Sequence, residues 1–361
     1  MFRQVRGKIL LSLIFGVLVM GALSLVADVR QLGVTLSHFN WALLPIILGL
    51  TLFNYALRFV KWQYYLRLIG VRGLSARDSA GIFYSAFTMV LTPGKVGELL
   101  KSYMLRRVAN VPIARSAPLI LAERMTDGLA MVILAALGLA LIPSGWPILV
   151  LTLVAALGGT IIIQHRPTAE RILSLGERFK PLAGRVHHLR EFYESSYEIL
   201  RPRPFGLAVL CGLISWSGEC FAFYLVLRGL GLPHTWTLLI AATSVLALST
   251  LIGSASMLPG GLGVADASIF GLLLAAVVSP LMTRDVAVAA SLLIRFATLW
   301  FGVGIGAIVV LLFWRRFSGF GDAGMESEET REGGGWDVNS AADDAAARAL
   351  PEAQEASGRV L

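Results

Sequence analysis

The sequence predicts an all-α polytopic membrane protein, and three observations carry that expectation. Of its 361 residues, 56% are hydrophobic and 15% charged, against roughly 45–50% and about 25% in soluble domains, and the mean hydropathy is +0.72. Apolar windows long enough to cross a hydrocarbon core, about 20 residues, recur along the chain. Basic residues gather at the ends of those windows, which is the orientation signal of a membrane protein rather than a nucleic-acid footprint.

The windows start near Ile9, Trp41, Pro118, Pro147, Phe205, Thr235 and Val286, with shorter broken runs at Ser79 to Thr92 and Gly260 to Ser279. Six to eight transmembrane helices are expected. Arg3, Arg6 and Lys8 precede the first run, Ile9 to Ala27. That run is long for a signal-peptide core and no small-x-small site follows it, so it is expected to stay as an anchored helix. Basic clusters then lie at the end of the second window (Arg58, Lys61, Arg67, Arg72, Arg77), after the first broken run (Lys95, Lys101, Arg106, Arg107, Arg115), in the middle of the chain (Arg166 to Arg203) and after the last window (Arg315, Arg316). With all of them on the cytoplasmic side, the chain is a multi-pass protein of the inner (cytoplasmic) membrane with both termini cytoplasmic.

Two stretches echo each other: Met89 to Glu98, MVLTPGKVGE, and Met257 to Asp266, MLPGGLGVAD. Each breaks an apolar run with Pro-Gly, adds a further glycine and delivers a carboxylate. Unwound backbone at membrane depth is tolerated where it lines a protein cavity. Pro93, Gly94, Lys95, Gly97 and Glu98, with Pro259, Gly260, Gly261, Gly263 and Asp266, are therefore candidate binding residues. Because Arg77 precedes Ser79 to Leu91 and Lys95 follows it, that run is expected to be a re-entrant hairpin opening inward. The stretch from Thr235 to Ser279 either folds back as a hairpin opening outward or forms two short spans, Thr235 to Leu251 and Leu262 to Val278. With hairpins, the halves read as span, hairpin, span in opposite orientation, an inverted repeat. Tyr55-x-x-Arg58 against Tyr224-x-x-x-Arg228, and LAER at Leu121 against LLIR at Leu292, are faint further echoes.

Charges inside apolar windows are the next signal, since each costs at least about 2.5–3.5 kcal/mol near the bilayer centre unless it finds a partner or water. Glu123 and Asp127 are four apart and share a helix face, which suits a cation between them: Arg295, Lys95 or a substrate amine. Arg124 lies beside them. Arg295 has no charge near it in sequence before Arg315, so it must pair with a carboxylate, Asp266 or Glu98, or with an anionic ligand such as a lipid phosphate. Glu98 and Asp266 also read as N-terminal caps of the half-helices that follow. Glu219, beside Trp216, is another intramembrane acid and a candidate proton carrier.

Residues 165–204 form a polar, basic connector between the halves. Leu182, Val186, Leu189 and Tyr193 make one apolar stripe, expected to lie in the cytoplasmic interface. His187 and His188 face different directions on a helix and are expected to be solvated rather than a metal pair. Cys211 and Cys220, nine positions apart in one helix, are expected to be free. Neither metal nor cofactor is expected. Residues 1–320 make the transmembrane domain and 321–361 a disordered acidic tail: from Asp322 onward ten acids face three arginines, a net −7, which leaves +15 on the rest of a chain of net charge +8, and the tail has too few large apolar residues to offset chain entropy.

In this order, the Arg58, Lys61 and Trp62 region, PGKVGELLKSYMLRR from Pro93, AERMTDG from Ala122, PGGLGVADA from Pro259 and LLIRFATLW from Leu292 resemble the lysylphosphatidylglycerol synthase transmembrane region, also called the flippase-like membrane family, over roughly residues 9 to 316. The resemblance implies an inner-membrane protein that moves a lipid across the bilayer or serves a pathway that modifies one, and adds Arg58 and Lys61 to the candidate site. Family members accompany aminoacyl-phospholipid, glycolipid and hopanoid pathways, so the cargo is not inherited. Asp266 stands where related chains often carry Glu, and no soluble aminoacyl-transferase domain is expected after the membrane part.

The sequence thus points to a lipid flippase or transporter for an anionic lipid or lipid-linked intermediate, with a non-catalytic subunit of a lipid-modifying pathway as the alternative. A membrane group-transferase is weaker, because no cation-binding Asp cluster or Ser-His-Asp order supports it. No GxxxxGK[ST] motif argues for ATP hydrolysis. The expected partners are a membrane lipid with an anionic headgroup and a lipid-biosynthesis enzyme, with no nucleic acid.

Overall fold

Caps and prolines set where the helices start. Asn40 caps a 3-10 turn, Trp41–Leu43, that leads into a long helix with Pro45 in its first turn; Ser75, Thr235 and Thr283 each accept the backbone amide three residues on, as N-caps do. The computed structural model describes residues 29–90, 98–138, 146–165, 167, 186–276 and 281–313. The expected first span, the sequence break at 93–97 and the acidic tail lie outside them. The described residues up to Leu312 form one compact unit.

The helices are α1 Val29–Ser37, α2 Leu44–Leu68, α3 Ala76–Ser85, α4 Leu100–Ala109, α5 Ile113–Ala136, α6 Trp146–Gln164, α7 Val186–Ile199, α8 Pro202–Gly229, α9 Trp236–Ala255, α10 Val264–Ala275 and α11 Arg284–Arg295, the last continuing to Phe313. No strand occurs among the described residues. The chain is an all-α polytopic membrane protein. Trp41–Leu68, Pro202–Gly229, Trp236–Ala255 and Arg284–Phe313 are each long and apolar enough to cross a bilayer. Val154, Ile161, Leu311 and Leu312 are exposed, an apolar exterior that suits lipid rather than water.

At the centre α2 and α8 run antiparallel. Asn54 Nδ2 donates to the Ser215 carbonyl at 3.0 Å and Cys211 Sγ to the Leu57 carbonyl at 3.5 Å, so numbers rise along one helix as they fall along the other. Phe223, Leu227, Ala242, Val245, Met131 and Ile294 fill the adjoining core. Cys211 and Cys220 are both free thiols.

Two pairs of elements, each interrupted by a break, are folded against this centre. In the first, α3 and a 3-10 turn, Ala86–Met89, run to the break, and α4 leaves it. In the second, α9 reaches Pro259–Gly261, where Gly260 and Gly261 have φ of 59° and 65°, and α10 returns. A side chain at Gly261 would press on the backbone of Gly253 at 3.2 Å, so glycine is needed for both backbone conformation and close approach. The second break touches the end of the arm that leads to the first: the Gly260 amide donates to the Val90 carbonyl at 3.0 Å.

Arg295 Nη2 donates to the Gly260 carbonyl at 2.8 Å, which fixes the depth of that meeting point. Arg295 is eleven residues into a 30-residue helix, about 16 Å along a helix of about 45 Å at a rise of ~1.5 Å per residue. The second Pro-Gly break therefore ends a little over a third of the way along the longest span. The connector helix α7 packs on α5 and α6, burying Ser195, Ser196 and Ile199, and the Tyr197 carbonyl accepts from Gln164 Nε2 at 2.9 Å. Leu182 and the side chains of Val186, His187, His188 and Leu189 lie outside the described residues.

Candidate functional site

Glu123 and Asp127, one turn apart on α5, are buried beneath three cations. Arg58 Nη2 lies 3.2 Å from Glu123 and 3.8 Å from Asp127, Lys101 Nζ lies 2.7 Å from Glu123, and Lys61 Nζ pairs directly with Asp127. The shared helix face does hold cations between the two acids, as the spacing predicts. They are not Arg295, however, and Lys95 lies outside the described residues. Helix α5 turns this face toward α2 and α4, which supply Arg58, Lys61 and Lys101. Lys101 also sits over the rings of Trp62 and Phe83, at 5.3 and 5.0 Å, an arrangement that steadies a desolvated ammonium.

The remaining two arginines make matching pairs. Arg124 grips Glu98 through two nitrogens, Nε at 2.9 Å from Oε2 and Nη2 on Oε1. Arg295 Nε lies 2.9 Å from Asp266 Oδ1, close enough to pair charge although not aligned as a hydrogen bond. In each half the arginine of the helix after the break holds the carboxylate that follows Pro-Gly. LAER and LLIR are thus structural equivalents. The match extends to packing: Gly306 of α11 abuts Tyr84 and Thr88 of the first hairpin, and Gly138, just after α5, abuts Ser244 of α9 in the second.

Asp266 also caps. Its Oδ2 accepts the Gly263 amide at 2.9 Å, so the cap reading and the ion-pair reading hold together. Glu98 sits just before α4 rather than one turn inside it.

These pairs surround a cavity of about 490 Å³. Arg58, Lys101, Arg124 and Arg295 line it with Glu98, Asp127 and Glu219, and its remaining wall is apolar or neutral, including Phe87, Met131, Trp216, Ile269 and Ile294. Gly260 and Gly261 form part of the wall. Pro93, Gly94, Lys95 and Gly97 lie outside the described residues. Lys61 and Glu123 stand one layer behind the wall, and Pro259, Gly263 and Asp266 shape the second break without lining it.

Several polar groups on the wall are unsatisfied. Arg58 Nε, Trp216 Nε1 and Ser249 Oγ are buried without a hydrogen-bond partner, a costly arrangement unless a ligand or water completes it. The Arg58 guanidinium lies 5.7 Å from the centre of the Trp216 ring. Tyr55 Oη donates to the Thr298 carbonyl, which is offered by a π-helical turn, Phe296–Trp300, immediately after Arg295. Such turns cluster at functional sites. Sequence reasoning treated Lys101 only as an orientation charge and passed over Trp216 and Ser249. Lys101 could have been found from its place three residues after Glu98, whereas the π-turn left no local signal. Among the described residues no group of three His, Cys, Asp or Glu is placed to hold a metal ion.

Residues 9–306 match the family described as the lysylphosphatidylglycerol synthase TM region. The chain belongs to that family. It is also similar to two archaeal proteins named UPF0104 membrane proteins: one from Methanothermobacter thermautotrophicus, 29% identical over 149 residues, which are 41% of this chain and 40% of the relative, and one from Pyrococcus horikoshii, 22% identical over 281 residues, 70% of this chain and 81% of the relative. The chain thus spans well under two thirds of the first of these. As a member of the lysylphosphatidylglycerol synthase TM family the protein is a membrane protein, and the matched range contains both breaks and every charge of the buried network.

Proposed function

We propose that the protein is a lipid transporter, moving an anionic lipid or lipid-linked intermediate across the cell's inner membrane, with both termini cytoplasmic and without group-transfer chemistry of its own. One observation carries this reading: a cavity of about 490 Å³ lies between the long apolar helices beside the second break, and four cationic side chains reach its wall. Arg58 and Arg295 are forked donors suited to a phosphate diester, while the apolar part of the wall suits acyl chain. The two broken segments are the parts that would move for alternating access.

The test is lipid movement between leaflets of proteoliposomes containing the purified protein. Labelled phosphatidylglycerol and a polyprenyl-phosphate analogue are the cargoes, labelled phosphatidylcholine the zwitterionic control, and inorganic phosphate the soluble competitor. Protein-dependent movement of an anionic lipid, reduced in Arg295→Ala, is expected. Movement of none of these lipids sinks the transport reading and favours a non-catalytic subunit that binds a lipid-modifying enzyme.

A further inference from the structure

The buried charges of the described residues do not balance without Glu219. Arg124 with Glu98 and Arg295 with Asp266 are neutral pairs. In the central cluster, Arg58, Lys61 and Lys101 face only Glu123 and Asp127, which leaves one positive charge in excess. Glu219 lies on the wall of the same cavity, 5% exposed, and among the described residues no hydrogen bond or ion pair reaches it. It sits one turn after Trp216, whose ring carries the Arg58 guanidinium. Every other carboxylate in the network has a direct cationic partner.

Glu219 is thus close enough to Arg58 to feel its charge but is not tied to it. An ionised carboxylate without a direct partner at this depth is costly, and the excess positive charge of the cluster is what offsets the cost. An anion docking on Arg58 takes that positive charge for itself. The carboxylate would then face a second negative charge across a small cavity, and a proton removes the conflict. We propose that Glu219 is the proton-binding site of this cavity, taking up one proton when an anionic headgroup binds at Arg58 and releasing it when the headgroup leaves. This rests on the anionic-lipid reading above and supplies its coupling ion: the bound complex carries no net charge beyond that of the empty site.

Few groups compete for the role. Helix α2 presents Tyr55 and Arg58 toward Glu219, and α5 presents Asp127, which is already held by Lys61. Described helix α9 contains no Asp, Glu, His, Lys or Arg. Helix α11 brings Arg295 to the cavity, committed to Asp266 and to the Gly260 carbonyl. On α8 itself Cys220 is buried against α9, its Sγ directed to the Thr243 carbonyl at 3.8 Å.

The experiment is titration calorimetry of the full chain in detergent with dioctanoyl phosphatidylglycerol, repeated in buffers of different ionisation heat, with inorganic phosphate as a second probe. The buffer dependence of the heat gives the number of protons taken up on binding. For the wild type, uptake approaching one proton is expected above neutral pH, where the empty site is ionised, with affinity falling there by up to about tenfold per pH unit. Glu219→Gln should bind the lipid with no proton uptake and no pH slope, and Glu219→Asp should restore the uptake. Wild-type binding without proton uptake, or undiminished uptake in Glu219→Gln, overturns the proposal while leaving the lipid site intact. Absence of any lipid binding by the wild type overturns the anionic-lipid reading and this one with it. Phosphate binding with the same uptake extends the proposal to soluble anions, and its absence ties the proposal to lipid. The wild-type buffer series decides even if Glu219→Gln does not fold.

Discussion

The amide of Gly260 donates to the carbonyl of Val90 at 3.0 Å, joining the second break to the arm that leads into the first. Arg295 holds the carbonyl of the same glycine while pairing with Asp266. A single guanidinium therefore ties the position of the second break to the charge of the half-helix that follows it. The fork is what makes this possible, since a lysine ammonium is a point charge on a flexible stem.

Arg295→Lys is expected to keep a cation near Asp266 but lose the simultaneous grip on Gly260. Transport should fall by at least about tenfold with only a modest loss of thermal stability. Arg295→Ala should lose transport and also about 3–5 kcal/mol of stability, because Asp266 is then buried without its partner. Thermal unfolding in detergent, measured beside the leaflet assay, separates the two effects. Equal transport in Arg295→Lys and the wild type would show that the link to Gly260 is incidental.

The close contact of α11 with the first hairpin makes a second prediction. A methyl group on Gly306 would come within 2.8 Å of the Thr88 amide and 3.0 Å of the Tyr84 carbonyl, whereas nothing lies within 4 Å of Gly304. Gly306→Val should therefore displace the hairpin, costing about 1–3 kcal/mol and abolishing transport, while Gly304→Val on the same helix is tolerated. Matching melting temperatures for the two variants would contradict this packing.

The parts of the molecule that were legible in the sequence are those with a local cause. Pro-Gly followed by glycines marks a break at Pro259 because few other sequences reach the backbone angles of Gly260 and Gly261. The four-residue spacing of Glu123 and Asp127 puts them on one helix face whatever surrounds them. Their partners were not legible, because Arg58 and Lys61 are more than sixty positions away and the packing of α2 on α5 chooses them over Arg295. An apolar stripe on α7 says that a face is buried, not whether lipid or α5 buries it. The π-turn after Arg295 has no composition of its own and follows from how α11 packs.

The central cluster should behave as one unit. Glu123→Gln leaves Arg58 and Lys101 sharing no full negative charge at that position, and Lys101→Met leaves Glu123 with Arg58 alone. Each single change is expected to cost about 3–5 kcal/mol of stability, and the double variant markedly less than their sum, with a coupling of about 0.5–3 kcal/mol. A double-mutant cycle by chemical or thermal unfolding in detergent measures this. Additive losses would mean that the Lys101–Glu123 contact at 2.7 Å contributes little.

Trp216 separates binding from folding. Its ring carries the Arg58 guanidinium, and its Nε1 is buried with no partner, on the wall of the cavity. Phenylalanine keeps a π-face for Arg58 but removes the donor. Because that donor makes no hydrogen bond in the protein, its loss should leave the melting temperature nearly unchanged. If a lipid headgroup completes it, Trp216→Phe should weaken binding of dioctanoyl phosphatidylglycerol by about five- to tenfold, the equivalent of one hydrogen bond of about 1–1.5 kcal/mol. Trp216→Ala, which also removes the face under Arg58, should be worse in both respects. Unchanged lipid affinity in Trp216→Phe would show that the headgroup does not reach this side of the cavity, and would move the binding position toward Arg124 and Arg295.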